Sequence, residues 1–380
     1  MRILIINNQY PSSTTGGATL LCGDISRGLT GRGHQVLALA PDGDKLLQYC
    51  GRLKSIKPVH DPEELEKIQA KIEWLITSRH NYNTTLGTVR KYRPDVVYLH
   101  NLEWLTVAPL LAAIDSGFKT VVHCHNHFYA EGVQIAKNAV QNKWHQQLFK
   151  LGFPVSGYRA IAISKHIEAG LHAAGFNKND ISLVYNGLPE EIFEIDKSCR
   201  RERKVLYIGA ISHHKGVHIA IEAIAILRKQ GINLPLEIIG AGSKDDYRVQ
   251  LDQMVIQTGV KDLVTFAGPL PRQDVWARMR SVMVVLVPSL WDEPFGLVAA
   301  EAMACGAVPI VSNRGALPEV VVDGGIIVDP SPEALVPAIK NVIGLPQERQ
   351  LKLSLAAVSH AKKEFGMNRV LENIERVLAR

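Results

Sequence analysis

The feature that most constrains this chain is a pattern that occurs twice: short, continuously apolar runs alternate with longer stretches of helical period. In the first half the runs are Ile3–Ile6, Val36–Ala40, Val96–Leu99, Thr120–Val122, Ala160–Ile163 and Ile181–Tyr185. In the second they are Val205–Ile208, Leu236–Ile239, Leu263–Phe266, Val282–Val287, Val308–Val311 and Ile326–Val328. A strand drops its polar alternation only when both of its faces are buried, so each set predicts a parallel sheet covered on both sides by helices. The sets are parted by Pro189–Lys204, where ten of sixteen residues are charged and apolar periodicity is lost. That is the composition of an exposed connection between cores.

The expected organisation is an α/β N-terminal domain over 1–188, a linker over 189–203 and a second doubly wound domain over 204–364. At 380 residues the chain is long enough for two such cores, and its 46% apolar and 21% charged content is that of a globular protein. Doubly wound sheets bind ligands beyond the carboxyl ends of their strands, so the site is expected where the two halves face each other. Several local signals place helices: Asp61-Pro62-Glu63-Glu64 and Ser331-Pro332-Glu333 read as helix starts, and Pro346 opens helices that run to Arg380.

A net charge of +6 favours anionic partners without choosing among them. The basic residues are dispersed, so nucleic acid is not expected. Five widely spaced cysteines (Cys22, Cys50, Cys124, Cys199, Cys305) include no Cys-x-x-Cys pair, which indicates neither a disulfide framework nor a zinc knuckle and points to a reducing, cytoplasmic compartment. After Met1 and Arg2 only four apolar residues precede Asn7, too few for a signal-peptide core, and no apolar run approaches a membrane span of about 18 residues. The segment 135–153 interleaves Lys137, Lys143, His145 and Lys150 with Trp144, Leu148, Phe149 and Leu151, which makes peripheral membrane contact a candidate beside an ordinary domain helix.

Four stretches carry chemistry. In Val287–Gly306 a strand ends at Pro288, a loop presents Glu293, and Pro294 is expected to start a helix whose first free amides are those of Phe295, Gly296 and Leu297. Such an end attracts phosphate and sugar oxygens. Glu301 lies inside that helix among apolar neighbours, and a buried carboxylate needs a partner. Either Glu301 lies on an exposed stripe or pairs with a structural cation, or both carboxylates accept from ligand hydroxyls, Glu301 from a ribose and Glu293 from a hexose. In Gly209–Gly216, Lys215 sits just before a helix start, where it is either an exposed turn lysine or the cation on a diphosphate. The Gly16-Gly17 turn permits close approach of backbone to a ligand or is an ordinary turn. His123, His125 and His127 alternate after a strand and point to one face, where metal ligation, structural roles and ligand contact are all open to them.

Two further motifs fail on inspection. Gly240-x-Gly242 has Asp245 where a dinucleotide fingerprint needs its third glycine, and Asp42-Gly43-Asp44 lies in a turn after only the second strand.

Taken in order, these pieces resemble the retaining glycosyltransferases of family four, which have the GT-B architecture of two facing Rossmann-like domains. The resemblance spans essentially the whole chain. Its most specific motif is a Glu, seven residues and a second Glu, met by Glu293 and Glu301, with Gly324–Asp329 following. It implies transfer of a hexose or N-acetylhexosamine from a nucleotide-diphosphate sugar, a UDP-sugar before a GDP-sugar, to a hydroxyl of a glycan, a lipid-linked glycan or a small molecule. No metal or cofactor is implied, the nucleotide sugar being a co-substrate.

The resemblance implies residue roles as well. Glu293, His125 and Lys215 are placed at the reaction centre. Gly17, Lys215, Gly240, Gly242, backbone around Leu270, Glu293, the amides of Phe295, Gly296 and Leu297, and Glu301 are placed on the donor. Gly16, His123 and His127 are placed on the acceptor side. The final helix, 365–380, has an apolar stripe of Val370, Leu371, Ile374, Val377 and Leu378 and is expected to return to the first domain. One departure stands out: Ala210 occupies the place of the family's usual Arg, leaving Arg272, Arg314, His213 or His214 to replace its charge. A sugar-nucleotide epimerase on the same architecture and a non-catalytic nucleotide-sugar or glycan-binding protein are the alternatives.

Overall fold

The structure, a computed structural model, describes residues 1–8, 17–41, 78–102, 105–127, 156–194, 201–242 and 247–380. It divides into two compact units, Met1–Val184 with Val370–Arg380, and Tyr185–Arg369.

The first unit is built on strands β1 (Arg2–Ile6), β2 (Gln35–Leu39), β3 (Val96–Leu99), β4 (Thr120–Cys124), β5 (Arg159–Ala162) and β6 (Ile181–Leu183). All neighbours are parallel, in the order β2-β1-β3-β4-β5-β6. Every residue of β3 and β4 is buried, as continuous apolar runs require of central strands. The chain leaves β1 toward β2 and returns on the other side as β3, so the order reverses between β1 and β3. There the Asn8 amide donates to the Asn101 carbonyl at 2.8 Å, and Asn7 Oδ1 accepts from the Asn101 amide at 3.0 Å.

The chain's last helix, Met367–Ala379, belongs to this unit from Val370 onward, and Val370, Leu371, Ile374, Val377 and Leu378 are all buried. Leu371 fills the space that a Cβ on Gly28 would need, which fixes the separation of that helix from Gly17–Gly31. His34 meets Glu375 at 2.8 Å, and Lys119 Nζ donates to the terminal carbonyls of Leu378 (3.2 Å) and Ala379 (2.9 Å). A cation there faces the negative end of the helix dipole.

The second unit contains β7 (Glu202–Ile208), β8 (Leu236–Ile239), β9 (Val264–Gly268), β10 (Val282–Val287), β11 (Val308–Ser312) and β12 (Ile326–Val328), parallel in the order β12-β11-β10-β7-β8-β9. Its order reverses between β7 and β10. The Arg201 guanidinium joins β10 to the flanking helices by donating to the carbonyls of Val282 (2.7 Å) and Cys305 (3.0 Å) and to Ser354 Oγ (3.1 Å). Ser331 caps the helix Pro332–Ile343 through the Ala334 amide at 3.2 Å.

The charged segment is less exposed than its composition predicts. Residues Glu190–Phe193 form a 3₁₀ turn with Ile192 and Phe193 buried, and β7 already begins at Glu202. Ile192 and Phe193 anchor the turn, and Arg201 anchors the start of the second unit through its inward guanidinium. The Asp61–Glu64 helix start, Asp42-Gly43-Asp44, the 135–153 segment, Cys50, Cys199 and Asp245 lie outside the described residues. Cys22, Cys124 and Cys305 are free and buried, and no helix among the described residues is long and apolar enough to cross a membrane.

Candidate functional site

The site grows from the two loops that leave β7 and β10, the strands on either side of the order reversal. After β7 the chain crosses to the neighbouring loop, where the Ile211 amide donates to the Ala241 carbonyl at 2.9 Å and Ile211 pairs with Gly242. It then makes a 3₁₀ turn over His213–Lys215 and enters the helix Val217–Lys229 through Gly216 at φ +72°. A side chain at Gly216 would be strained by that φ and its Cβ would overlap the Pro288 carbonyl. Glycine therefore lets the turn press against the end of β10, and Lys215 is delivered to the next loop.

That loop is fastened along its length. The Leu290 amide donates to the His214 carbonyl at 2.8 Å, and Ser312 Oγ donates to the Ser289 carbonyl at 2.6 Å. Farther on, the Gly315 amide donates to Asp292 Oδ1 at 3.1 Å, and the Ala316 amide donates to the Glu293 carbonyl at 2.8 Å. Glu293 is thus presented from a backbone held on both sides. Its side chain is buried, and Lys215 Nζ donates to Glu293 Oε1 at 2.6 Å.

The helix that follows runs Leu297–Ala304, three residues later than Pro294 predicts. Phe295 is drawn inward against Phe365 (5.4 Å between ring centroids) and Tyr185 (6.1 Å), and Gly296 then turns through φ +99°. Each aromatic pair contributes about 0.5–1.5 kcal/mol beyond its burial. The Gly296 carbonyl accepts from the amides of Ala299 (2.9 Å) and Ala300 (3.2 Å), so the helix-start amides are those of Leu297 and Val298, not Phe295.

At Glu301 the structural-cation alternative is met by Arg272, and the helix's own apolar neighbours are not the whole of the surround. Trp276 Nε1 donates to Glu301 Oε1 at 3.2 Å, and Arg272 Nε stands 3.5 Å from the same oxygen. Trp276 was missed because nothing local in sequence ties it to a helix 25 residues on. Of the candidates for the charge absent at Ala210, Arg272 is engaged here, while Arg314, His213 and His214 are exposed. Ala210 itself is exposed, and its carbonyl accepts from the Tyr207 hydroxyl at 2.9 Å. His218 Nδ1 lies 2.8 Å from the Tyr247 hydroxyl and stacks on His213, an arrangement beside the Lys215 turn that the sequence did not suggest.

The remaining donor candidates fall around this region or outside it. Gly240 follows β8 against the Gly209 carbonyl, Gly242 pairs with Ile211, and Leu270 is half-buried in the loop after β9. Gly17 is exposed at the first position of its helix, and Gly16 lies outside the described residues.

In the first unit the alternating histidines separate. His123 and His125 stack at 4.3 Å between ring centroids, while His127 lies edge-on to His166. The neighbouring strand β3 adds two groups the sequence did not reveal: the Tyr98 hydroxyl lies 2.7 Å from His123 Nδ1, and His100 Nδ1 lies 2.9 Å from His125 Nε2. Burial drives the pKa values of His100 and His123 well below the ordinary imidazole range, with mutual repulsion adding to it, and burial lowers that of His125 to about 4. All three are therefore neutral at pH 7. Their nitrogens lie within 4.8 Å of one another, which would suit a metal by distance alone. The rings are stacked within 17° and 22° of parallel, however, and a metal must sit in the plane of each imidazole it binds. Ligation would require the His100–His125 hydrogen bond to break.

Residues 15–191 match the model described as Glycosyltransferase Family 4, and residues 190–360 match that of Glycosyl transferases group 1. The chain belongs to glycosyltransferase family four. This glycosyltransferase is 26% identical to the glycogen synthase of Mycobacterium tuberculosis, over 94% of its own length and 89% of the relative's. Its fold is that of HepE from Anabaena in complex with UDP-glucose, at a TM-score of 0.74 and 20% identity over 100% and 99% of the two chains. Sucrose-phosphate synthase from Thermosynechococcus elongatus has the same fold at a TM-score of 0.73 and 18% identity, over 99% and 98%. Both sheets of this glycosyltransferase are accordingly those of the GT-B class.

Proposed function

We propose that this glycosyltransferase moves a hexose or N-acetylhexosamine from a nucleotide-diphosphate sugar, a UDP-sugar in preference to a GDP-sugar, to an acceptor hydroxyl with retention of anomeric configuration. The observation that carries the reading is the meeting of Lys215 and Glu293 at the point where the strand order of the second sheet reverses. A cation and an acceptor of hydroxyl bonds are there held on fastened loops, which is preorganisation for a diphosphate joined to a sugar. HepE was crystallised with UDP-glucose, and that supports the uridine preference.

In this reading Lys215 takes the diphosphate, Glu293 the hydroxyls of the transferred sugar and Glu301 those of the ribose. The amides of Leu297 and Val298 lie at the positive end of their helix and add to the diphosphate's field. The first unit is assigned the acceptor, with His125 beside the reacting sugar. The bond from the anomeric carbon to the diphosphate oxygen breaks, the bond to the acceptor oxygen forms on the same face, and the acceptor's proton passes to the departing diphosphate. Lys215 stabilises the charge that grows on that leaving group. The scheme uses no metal and no protein nucleophile.

The test is a panel of nucleotide sugars scored for thermal stabilisation, since a ligand that binds only the folded state raises the melting temperature. The stabilising donor is then incubated with candidate acceptors and the product's anomeric configuration is read by proton NMR. An axial product from an axial donor supports the reading. Inversion, or an epimerised donor without transfer, contradicts it.

A further inference from the structure

We infer that Trp276 and Arg272 are positioning residues for the nucleotide's ribose, acting through Glu301; this rests on the reading of Glu301 as the ribose acceptor. Three observations carry it. Trp276 is 1% exposed, and a buried indole N–H needs an acceptor, which here is Glu301 Oε1 at 3.2 Å. Arg272 approaches that same oxygen at 3.5 Å, and its guanidinium lies over the Trp276 ring at 4.6 Å from the centroid. Both groups come from one helix, Arg272–Ser281, packed beside Leu297–Ala304, so a single element sets an indole N–H and a guanidinium charge at one carboxylate oxygen.

The physical consequence concerns orientation. A glutamate has three rotatable side-chain bonds, and holding it for a diol costs conformational entropy at the moment of binding. One N–H bond and one neighbouring positive charge on Oε1 restrain the carboxylate's rotation before the ligand arrives. A Glu301 held this way discriminates a ribose from a sugar lacking those hydroxyls more sharply than a mobile one.

The experiment compares two ligands by titration calorimetry. The first is whichever of UDP, ADP and GDP stabilises the protein most, and the second is its 2′,3′-dideoxy counterpart. The parent is expected to bind the hydroxylated ligand about tenfold or more tightly, as hydrogen bonds to a charged acceptor imply. Trp276→Phe is expected to lower that preference at least about threefold while binding of the dideoxy ligand holds within about twofold, and Trp276→His, which keeps a ring N–H, restores part of it. Where Trp276→Phe does not fold, Arg272→Gln is measured in its place with the same expectation. A purely structural role weakens both ligands alike and leaves the ratio unmoved, which overturns the inference. A parent that does not distinguish the two ligands overturns the reading of Glu301 itself.

Discussion

Lys215 Nζ and Glu293 Oε1 stand 2.6 Å apart, joining the loops that leave two adjacent parallel strands of the second sheet. The pair is intermediate between surface and core: the Lys215 side chain is 27% exposed and that of Glu293 11%. The pair therefore ties the two loops together at that depth.

The first prediction follows from the loops that present Glu293 and the helix that carries Glu301. Glu293→Ala and Glu301→Ala are each expected to lower turnover with a nucleotide-sugar donor by about tenfold or more, as loss of one preorganised polar group does. Far-ultraviolet circular dichroism should remain that of the parent. Initial rates at saturating donor check this, and parental rates in both variants contradict it.

Lys215→Ala should act on binding and on stability together. Removing the cation weakens nucleoside diphosphate affinity and strands Glu293 in a mostly buried position, which costs about 1–3 kcal/mol. Adding Glu293→Gln removes the stranded charge, so the double variant is expected to recover melting temperature without recovering affinity. Parallel melting and calorimetric curves decide it, and recovery of both would show that Lys215 never touched the diphosphate.

The histidine stack makes stability depend on pH. For His125 the folded pKa of about 4 lies below the unfolded value near 6.5, so the unfolded chain takes up its proton first as pH falls. The contribution is complete above about pH 6.5, declines by up to about 1.4 kcal/mol per pH unit through that window, and is gone below about pH 4. His100 and His123 are shifted in the same direction by the same burial. Urea titrations from pH 7 to 4 should show the loss, and His125→Asn should flatten it; an unchanged slope in that variant contradicts the assignment.

Transfer is expected to proceed unchanged in excess EDTA, because Lys215 and the helix-start amides take the leaving group's charge in the proposed scheme. Loss of activity in chelator, restored by a divalent ion, contradicts that scheme and directs attention to the His100, His123 and His125 nitrogens.

Much of this fold is legible in the sequence because burial on both faces leaves a local trace. Val282–Val287 reads as a strand from its own six residues, and Ser331-Pro332-Glu333 reads as a helix start from three. What stayed hidden depends on partners distant along the chain. Pro294 carries the signal of a helix start, yet the pull of Phe365 on Phe295 and the left-handed turn at Gly296 delay the helix to Leu297. The period of two brought His123 and His125 to one face, but alternation ends with β4 at Cys124, and His127 goes its own way. His100 and Tyr98 join that face only because β3 lies beside β4, an adjacency no local pattern records. The same holds for Trp276 and Glu301. The two motif carboxylates were legible as a spacing; which side chains meet them was not.

The most direct measurement is calorimetric titration of the best-stabilising nucleotide sugar into the parent and into a Glu293→Ala, Glu301→Ala double variant. The account predicts saturable one-to-one binding by the parent and a Kd raised at least about a hundredfold in the double variant, the sum of two charged hydrogen-bonding groups. Equal dissociation constants for the two proteins would place the donor elsewhere and contradict it.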